Sequence, residues 1–257
     1  MELLNTPIGR YFVDPRDEYV AKELRLTGDY QPSERGLYFN LLRPTDNVLW
    51  LGAHIGALVI PLCRVVNYVT TFEANPSTYA LLEKNIKINN LINIKPYNLG
   101  VSDSSGQISF LCNVINSGGS KRMPINMEAM YLDEQTQLIE VDTVSVDDFL
   151  IDQTFDFIFM DIEGSEYAAL KGMPKAISNC RVLVVEFIPH HLKNVANITP
   201  DQFLAPLQCF KRAYIPELKR YFYDTDIRSI LNEMNQKEVA SSGIIFFSDE
   251  AVENSLD

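Results

Sequence analysis

Five short runs of apolar and β-branched residues each stop at a glycine, an asparagine or an acid, and stretches of helical length separate most of them. The runs are 48–51 ending at Gly52, 68–72 ending at Glu73, 94–98, 155–160 ending at Asp161, and 182–185 ending at Glu186. They are nearly continuous in apolar character, as strands covered on both faces must be. Between the second and third, Asn75 and Pro76 read as N-cap and first helical residue, and Tyr79, Leu82 and Ile86 recur at helical steps. Between the fourth and fifth, 166–171 favours helix, Gly172 can close it, and Pro174 opens a second short turn. This alternation predicts an α/β chain: a mostly parallel sheet with right-handed crossovers and helices on both faces.

Two stretches break the rhythm. Asp103-Ser104-Ser105-Gly106 reads as a tight turn into an extra strand over 108–112, and 139–144 reads as another. Between them, 113–137 is polar, with Ser117-Gly118-Gly119-Ser120 in its middle and Met123, Met127 and Met130 beyond. An insertion of this length inside an α/β domain is expected to be a binding loop, here part of an acceptor pocket. Beyond Pro200 come a helical stretch over 203–209 and late strands at 213–215 and 243–247. Residues 1–45 read as a cap segment ahead of one domain over 46–257.

Charge narrows the partners. Against 34 Asp and Glu stand 22 Lys and Arg, a net charge of -12, which repels phosphate backbones and anionic membranes. Neither nucleic acid nor membrane is therefore an expected partner. Cys63, Cys112, Cys180 and Cys209 lie far apart and form no CxxC pair. Residues 1–17 lack an apolar core of signal-peptide length, and no run approaches the ~20 apolar residues of a spanning helix, so a cytoplasmic chain is expected.

Gly52-Ala53-His54-Ile55-Gly56 follows the first run and is read as opening a helix, where free N–H groups favour an anionic ligand group. Glu73 ends the second strand 21 residues after Gly52, close to the ~20-residue interval at which an acid meets a ribose hydroxyl pair. Together they point to an adenosine-bearing cofactor. The alternatives are a tight turn without ligand and a Glu73 that merely caps the helix beginning near Pro76. A dinucleotide needs a second glycine where His54 stands, and no GxxxxGK[ST] is present, so NAD, FAD and P-loop nucleotides are disfavoured. S-adenosylmethionine carries no pyrophosphate and fits such a turn better.

At this point the chain resembles the FkbM-type S-adenosylmethionine-dependent methyltransferases over about 29–191. The resemblance is carried by LGAHIG (51–56), FEANPSTYALLEKNIKINNL (72–91), GVSDSSG (100–106), NSGGS (116–120), VDTVSVDDFL (141–150), DFIFMDIEGSEYAALKG (156–172) and VVEFIP (184–189). It implies a Rossmann-like class I methyltransferase fold, with a seven-stranded sheet whose last strand is reversed, and methyl transfer to a hydroxyl of a sugar or small metabolite. Carried over residue by residue, the turn of Gly52, Ala53, His54 and Gly56 would hold the methionine end and Glu73 the ribose. Ala74, Gly100 and Val101 would line the adenine, Asp161 would face the sulfonium, and Glu34 would cover the cofactor. Three positions depart from the family pattern: Trp50 stands where it usually has an acid, His54 where it has asparagine, and Phe159 where many members have lysine. A methyltransferase-like protein that binds cofactor without catalysis is the alternative.

An alcohol does not ionise unaided at neutral pH, so a base or metal is needed within hydrogen-bond reach. The candidates lie beyond the carboxyl ends of the strands: Asp161, Glu163, Glu186, His190 and His191. The expected base is His190 or Asp161, with Glu186 orienting a neighbour or the acceptor. Glu163 and Glu166 also read as acids complementing a helix start, and the two histidines as solvated residues opening a helix. No metal ligand is assigned, and the oligomeric state stays open.

Overall fold

The five apolar runs become parallel neighbours in one sheet. In the computed structural model, which describes residues 1–132 and 135–248, they are β1 (Asn47–Leu51), β2 (Tyr68–Phe72), β3 (Ile94–Tyr97), β4 (Phe157–Met160) and β5 (Val182–Phe187). The chain adds β6 (Arg212–Ile215), β7 (Arg220–Tyr223) and β8 (Ser241–Phe247), giving the order β7-β6-β8-β5-β4-β1-β2-β3. β8 runs antiparallel to β5 and β6, so the expected reversed last strand is present.

The sheet has eight strands where seven were expected. The extra one, β7, folds back antiparallel on β6 after a turn at Pro216–Leu218 and a left-handed Lys219 (φ 49).

Alternation along the strands sends side chains to two cores. Leu49, Leu51, Ile158, Met160, Leu183 and Val185 face the helices Glu166–Lys171, Pro174–Asn179 and Pro200–Leu204. Val48, Trp50, Phe157, Phe159, Val182 and Val184 face Tyr38 and Leu41 of the helix Pro32–Leu41 and Leu82 of the helix Pro76–Ile88. Asn75 caps the latter, accepting from the Ser77 N–H at 3.0 Å.

The two extra strands pair with each other. Gly106–Cys112 lies antiparallel to Gln137–Val144 in a second sheet, flanked by Gly100–Val101 and Lys121–Arg122. The stretch 113–137 is therefore a built structure, with a 3-10 turn at Ser117–Gly119 and a strand at Lys121–Arg122. Positions 133 and 134 of it lie outside the described residues.

Within the N-terminal 45 residues, a hairpin of Glu2–Thr6 and Gly9–Val13 precedes the helices Val20–Thr27 and Pro32–Leu41. Buried Asn85 ties it down, accepting from Phe12 N–H at 2.6 Å and donating to the carbonyls of Phe12 (3.1 Å) and Ile55 (2.8 Å). Among the described residues no helix is long and apolar enough to cross a membrane.

Candidate active site

The glycine turn sits where β1, β2 and β4 end together. Gly52 has φ 86, and a Cβ there would come within 1.8 Å of the Asp161 carbonyl oxygen. Its N–H and that of Ala53 both donate to the Phe72 carbonyl at 3.0 Å, closing the turn onto β2. Gly56, also left-handed at φ 93, is needed for packing instead: a Cβ would meet Ile60 at 2.6 Å and Leu82 at 3.0 Å. The helix expected to open at this turn is a single turn, Val59–Leu62, that begins beyond it.

His54 adopts φ 51 and donates its backbone N–H to Glu73 Oε2 at 2.8 Å. The Asn75 N–H donates to Glu73 Oε1 at 2.8 Å, so Glu73 braces both sides of the turn while Asn75 is the helix cap. Burial pushes the Glu73 carboxyl up to about 7. The His54 ring, held at 2.6 Å from Ser117 Oγ, is lowered to about 4 by burial. Ser117 in turn donates its hydroxyl to Asp17 Oδ2, which also accepts the Ser117 N–H at 3.1 Å. The turn, the N-terminal segment and the 117–120 stretch are thereby one network.

These elements wall a cavity of about 250 Å³. Of the residues expected to bind cofactor, Gly52, Ala53, His54, Glu73, Ala74, Gly100, Val101 and Asp161 lie on its wall; Glu34 and Gly56 do not. Glu34 sits half-buried on the helix Pro32–Leu41, and the wall there is made by Tyr30 and Gln31 ahead of it. Trp50 and Phe159, opposite one another on β1 and β4, stack at 3.9 Å and 14° and also line the cavity, leaving it open.

The acids beyond β4 and at the end of β5 gather on one side. Burial, then the neighbouring Glu163 and Glu166, raises Asp161 well above the ordinary carboxylate range. Glu166 turns inward, accepts the N–H groups of Ile162 (3.0 Å) and Gly164 (3.2 Å), and is raised to about 7 by burial. Its role is to hold the loop that carries Glu163, a left-handed residue at φ 55. Glu186 lines the cavity, and burial followed by the charges of Asp161 and Glu163 raises its carboxyl well above the ordinary range.

His190 is off the cavity wall. Its Nδ1 lies 3.1 Å from the Tyr131 hydroxyl. His191, at the start of a π-helical turn over His191–Ala196, points into the acid group instead. Its Nε2 is 3.0 Å from Lys121 Nζ, and the same Nζ donates to Glu163 Oε2 at 2.8 Å. Lys121 is buried, 7% exposed, and was not singled out in the sequence: a lysine in a polar stretch carries no signal until the second sheet fixes where it points. Glu163, Glu186 and His191 each bring a ligand atom within 4.8 Å of the others, a spacing that suits a cation. The ammonium of Lys121 supplies the positive charge there, bonded to two of the three.

Comparison with known proteins places residues 51–237 in a match to the family described as methyltransferase FkbM domain. The hexuronic acid methyltransferase AglP of Haloferax volcanii is 30% identical over 146 residues, which are 55% of this chain and 56% of that protein. The chain thus spans about half the length of that relative. Among solved structures, a methyltransferase FkbM from Methylobacillus flagellatus KT is similar at TM-score 0.48 and 17% identity, covering 80% of this chain and 44% of that one. TYW2 of M. jannaschii in complex with AdoMet is similar at TM-score 0.44 and 15% identity, over 96% of this chain and 84% of that one.

Proposed function

This chain belongs to the methyltransferase FkbM family, and from that premise we propose that it transfers a methyl group from S-adenosyl-L-methionine to a hydroxyl oxygen of a sugar or other small metabolite. One observation carries the reading: Glu73 and Asp161, which follow β2 and β4, and Glu186, next to last in β5, meet the Gly52 turn on the wall of a single cavity. Ligands of open α/β sheets bind beyond the carboxyl ends of the strands.

The residues fit such a cofactor. Gly52 leaves no room for a side chain, so the turn presents bare backbone, and Glu73 retains lone pairs for a ribose hydroxyl pair beyond its two backbone bonds. Ala74, Gly100 and Val101 offer the adenine a small apolar wall. When bound, the sulfonium supplies an activated methyl group. The chain's own part is to fix the acceptor, exclude water and take a proton. Of the acids on the wall, Glu73 braces the turn and Glu163 pairs with Lys121, which leaves Asp161 and Glu186, in their ionised forms, to do the last; His190 is engaged with Tyr131 outside it. The name of the Haloferax relative, a hexuronic acid methyltransferase, favours a sugar acceptor.

Calorimetry with S-adenosylmethionine and S-adenosylhomocysteine tests cofactor use, and methyl transfer to a panel of sugars including hexuronic acids tests the acceptor class. Absence of binding at millimolar cofactor would remove the enzyme reading. The Trp50–Phe159 stack on the cavity wall supports a second reading, a cofactor-binding protein without catalysis. Binding without transfer to any acceptor of the panel would favour it.

A further inference from the structure

Two buried polar atoms, Oε2 of Glu186 on the cavity wall and Nδ1 of His191 behind it, have no hydrogen-bond partner among the described residues. They face one another at 3.8 Å, too far for a bond between them. Unpaired buried groups cost free energy, so a pair of them side by side calls for an occupant.

The other ring nitrogen decides what the pair can hold. Lys121 Nζ lies 3.0 Å from His191 Nε2 and 2.8 Å from Glu163 Oε2, with its ammonium 5.3 Å above the Tyr131 ring. A lysine ammonium has donors only. His191 Nε2 must therefore offer its lone pair, and the proton of the neutral ring must sit on Nδ1, on the side of Glu186. Burial, then Lys121, lowers the imidazole to about 2, so the ring is neutral throughout the working range.

We propose that Lys121 is a positioning residue that fixes the tautomer of His191, so that His191 Nδ1–H and Glu186 Oε2 together form the seat for one hydroxyl group of the acceptor. A hydroxyl oxygen there accepts from Nδ1–H and donates its own proton to Glu186. During transfer the acceptor oxygen bonds to the methyl carbon as the carbon–sulfur bond breaks with its electron pair on sulfur. The hydroxyl proton passes to Glu186 in its ionised form, which burial and the nearby acids make a stronger base than an ordinary carboxylate, leaving a neutral carboxylic acid. In this arrangement His191 steadies the oxygen as negative charge grows on it, and Glu186 is the base. The inference rests on the methyl-transfer reading for its chemistry, and on the Lys121 geometry alone for the tautomer.

The chain has three histidines, His54, His190 and His191, so its imidazole signals can be resolved. Long-range nitrogen–proton NMR, assigned with His191→Gln, reads the tautomer without any ligand. Wild type is expected to show His191 protonated at Nδ1. In Lys121→Met, Nε2 faces the Glu163 carboxylate at 3.4 Å with no competing donor, so the proton is expected to move to Nε2. Lys121→Arg, again a donors-only cation, is expected to restore the wild-type form and serves where the methionine variant does not fold. In turnover, Lys121→Met is expected to lower kcat at least about tenfold, and Lys121→Arg to recover part of it. A wild-type His191 protonated at Nε2, or an unchanged tautomer in Lys121→Met, would overturn the proposal. A flipped tautomer with undiminished kcat would overturn the hydroxyl seat. If no cofactor binds at all, it is the methyl-transfer reading that fails, and the NMR result still decides the role of Lys121.

Discussion

Replacing Glu73 by glutamine separates the charge of this carboxyl from its shape. In the folded chain burial moves it from an ordinary 4.5 up to about 7, although both oxygens accept backbone N–H groups at 2.8 Å. The native chain therefore holds this proton more tightly than the unfolded chain does. The stability it contributes is full below pH 4.5 and is lost as the pH rises through 7. The whole span corresponds to about 3 kcal/mol, of which roughly 2 kcal/mol falls between about pH 5.5 and 8. That range stays above the sequence pI of 4.7, where solubility is lowest. Glutamine has no such proton. Urea unfolding of both proteins at several pH values is the assay, and the stability of wild type minus that of Glu73→Gln is expected to shrink by about 2 kcal/mol across the range. The shifted groups common to both proteins, Asp161, Glu166 and His54 among them, cancel in the difference. Parallel curves would refute the claim that this carboxyl is desolvated. At about pH 8, where the Glu73 carboxyl is ionised, the same variant is expected to bind S-adenosylmethionine about ten to a hundred times more weakly, because a charged acceptor for the ribose hydroxyls is replaced by a neutral one with half its capacity.

Gly52→Ala puts a Cβ within 1.8 Å of the Asp161 carbonyl oxygen at a left-handed φ of 86; a loss of about 2–4 kcal/mol in urea unfolding is expected, and a wild-type midpoint would contradict the close approach. Ser117→Ala removes the hydroxyl that joins His54 to Asp17 and keeps the backbone N–H bond to Asp17; an expected cost of about 1–3 kcal/mol should appear with faster amide exchange over 117–120, and unchanged exchange would show that the hydroxyl link does not hold this stretch. His190→Ala is expected to leave cofactor affinity within about twofold, since the ring bonds Tyr131 away from the cavity wall; a tenfold loss measured by calorimetry would place it in the site.

The central sheet was legible because a strand buried on both faces must be apolar along its whole length, and all five such runs became β1 to β5. β7, with one buried residue in four, and the N-terminal hairpin, half in water, left no comparable pattern. The acids were legible for a related reason: a charged residue that ends a buried strand stands at the one place where the sheet opens. Lys121 was not, because its direction depends on the two-residue strand Lys121–Arg122 pairing with Phe110 and Leu111 at the edge of the second sheet, a register that no apolar pattern in the polar stretch marks. The choice between His190 and His191 was equally invisible. Adjacent residues differ only in the side of the turn they face, and a π-helical turn there shifts the phase that α-helical spacing would assign.

Trp50 and Phe159, two positions at which the resemblance implies other residues, are neighbours in the structure. Trp50 and Phe159 occupy paired positions on neighbouring strands, so an acid at the first and a lysine at the second would face each other across the same register. Here the two positions hold stacked rings, with Trp50 1% and Phe159 2% exposed. Exchanging a buried ion pair for well-packed apolar groups is commonly neutral or stabilising by about 1–4 kcal/mol, so packing alone sets no barrier to the change. What the exchange alters is the cavity wall, which gains an apolar plate and holds no carboxylate at position 50. The carboxyls left on the wall to face a cationic ligand are those of Glu73, Asp161, Glu163 and Glu186, of which Glu163 is already paired with Lys121. Affinity for a sulfonium and removal of the acceptor proton thus draw on one set of carboxyls. A substitution among them should change both together, whereas Trp50→Phe, which keeps an aromatic ring against Phe159, should change neither.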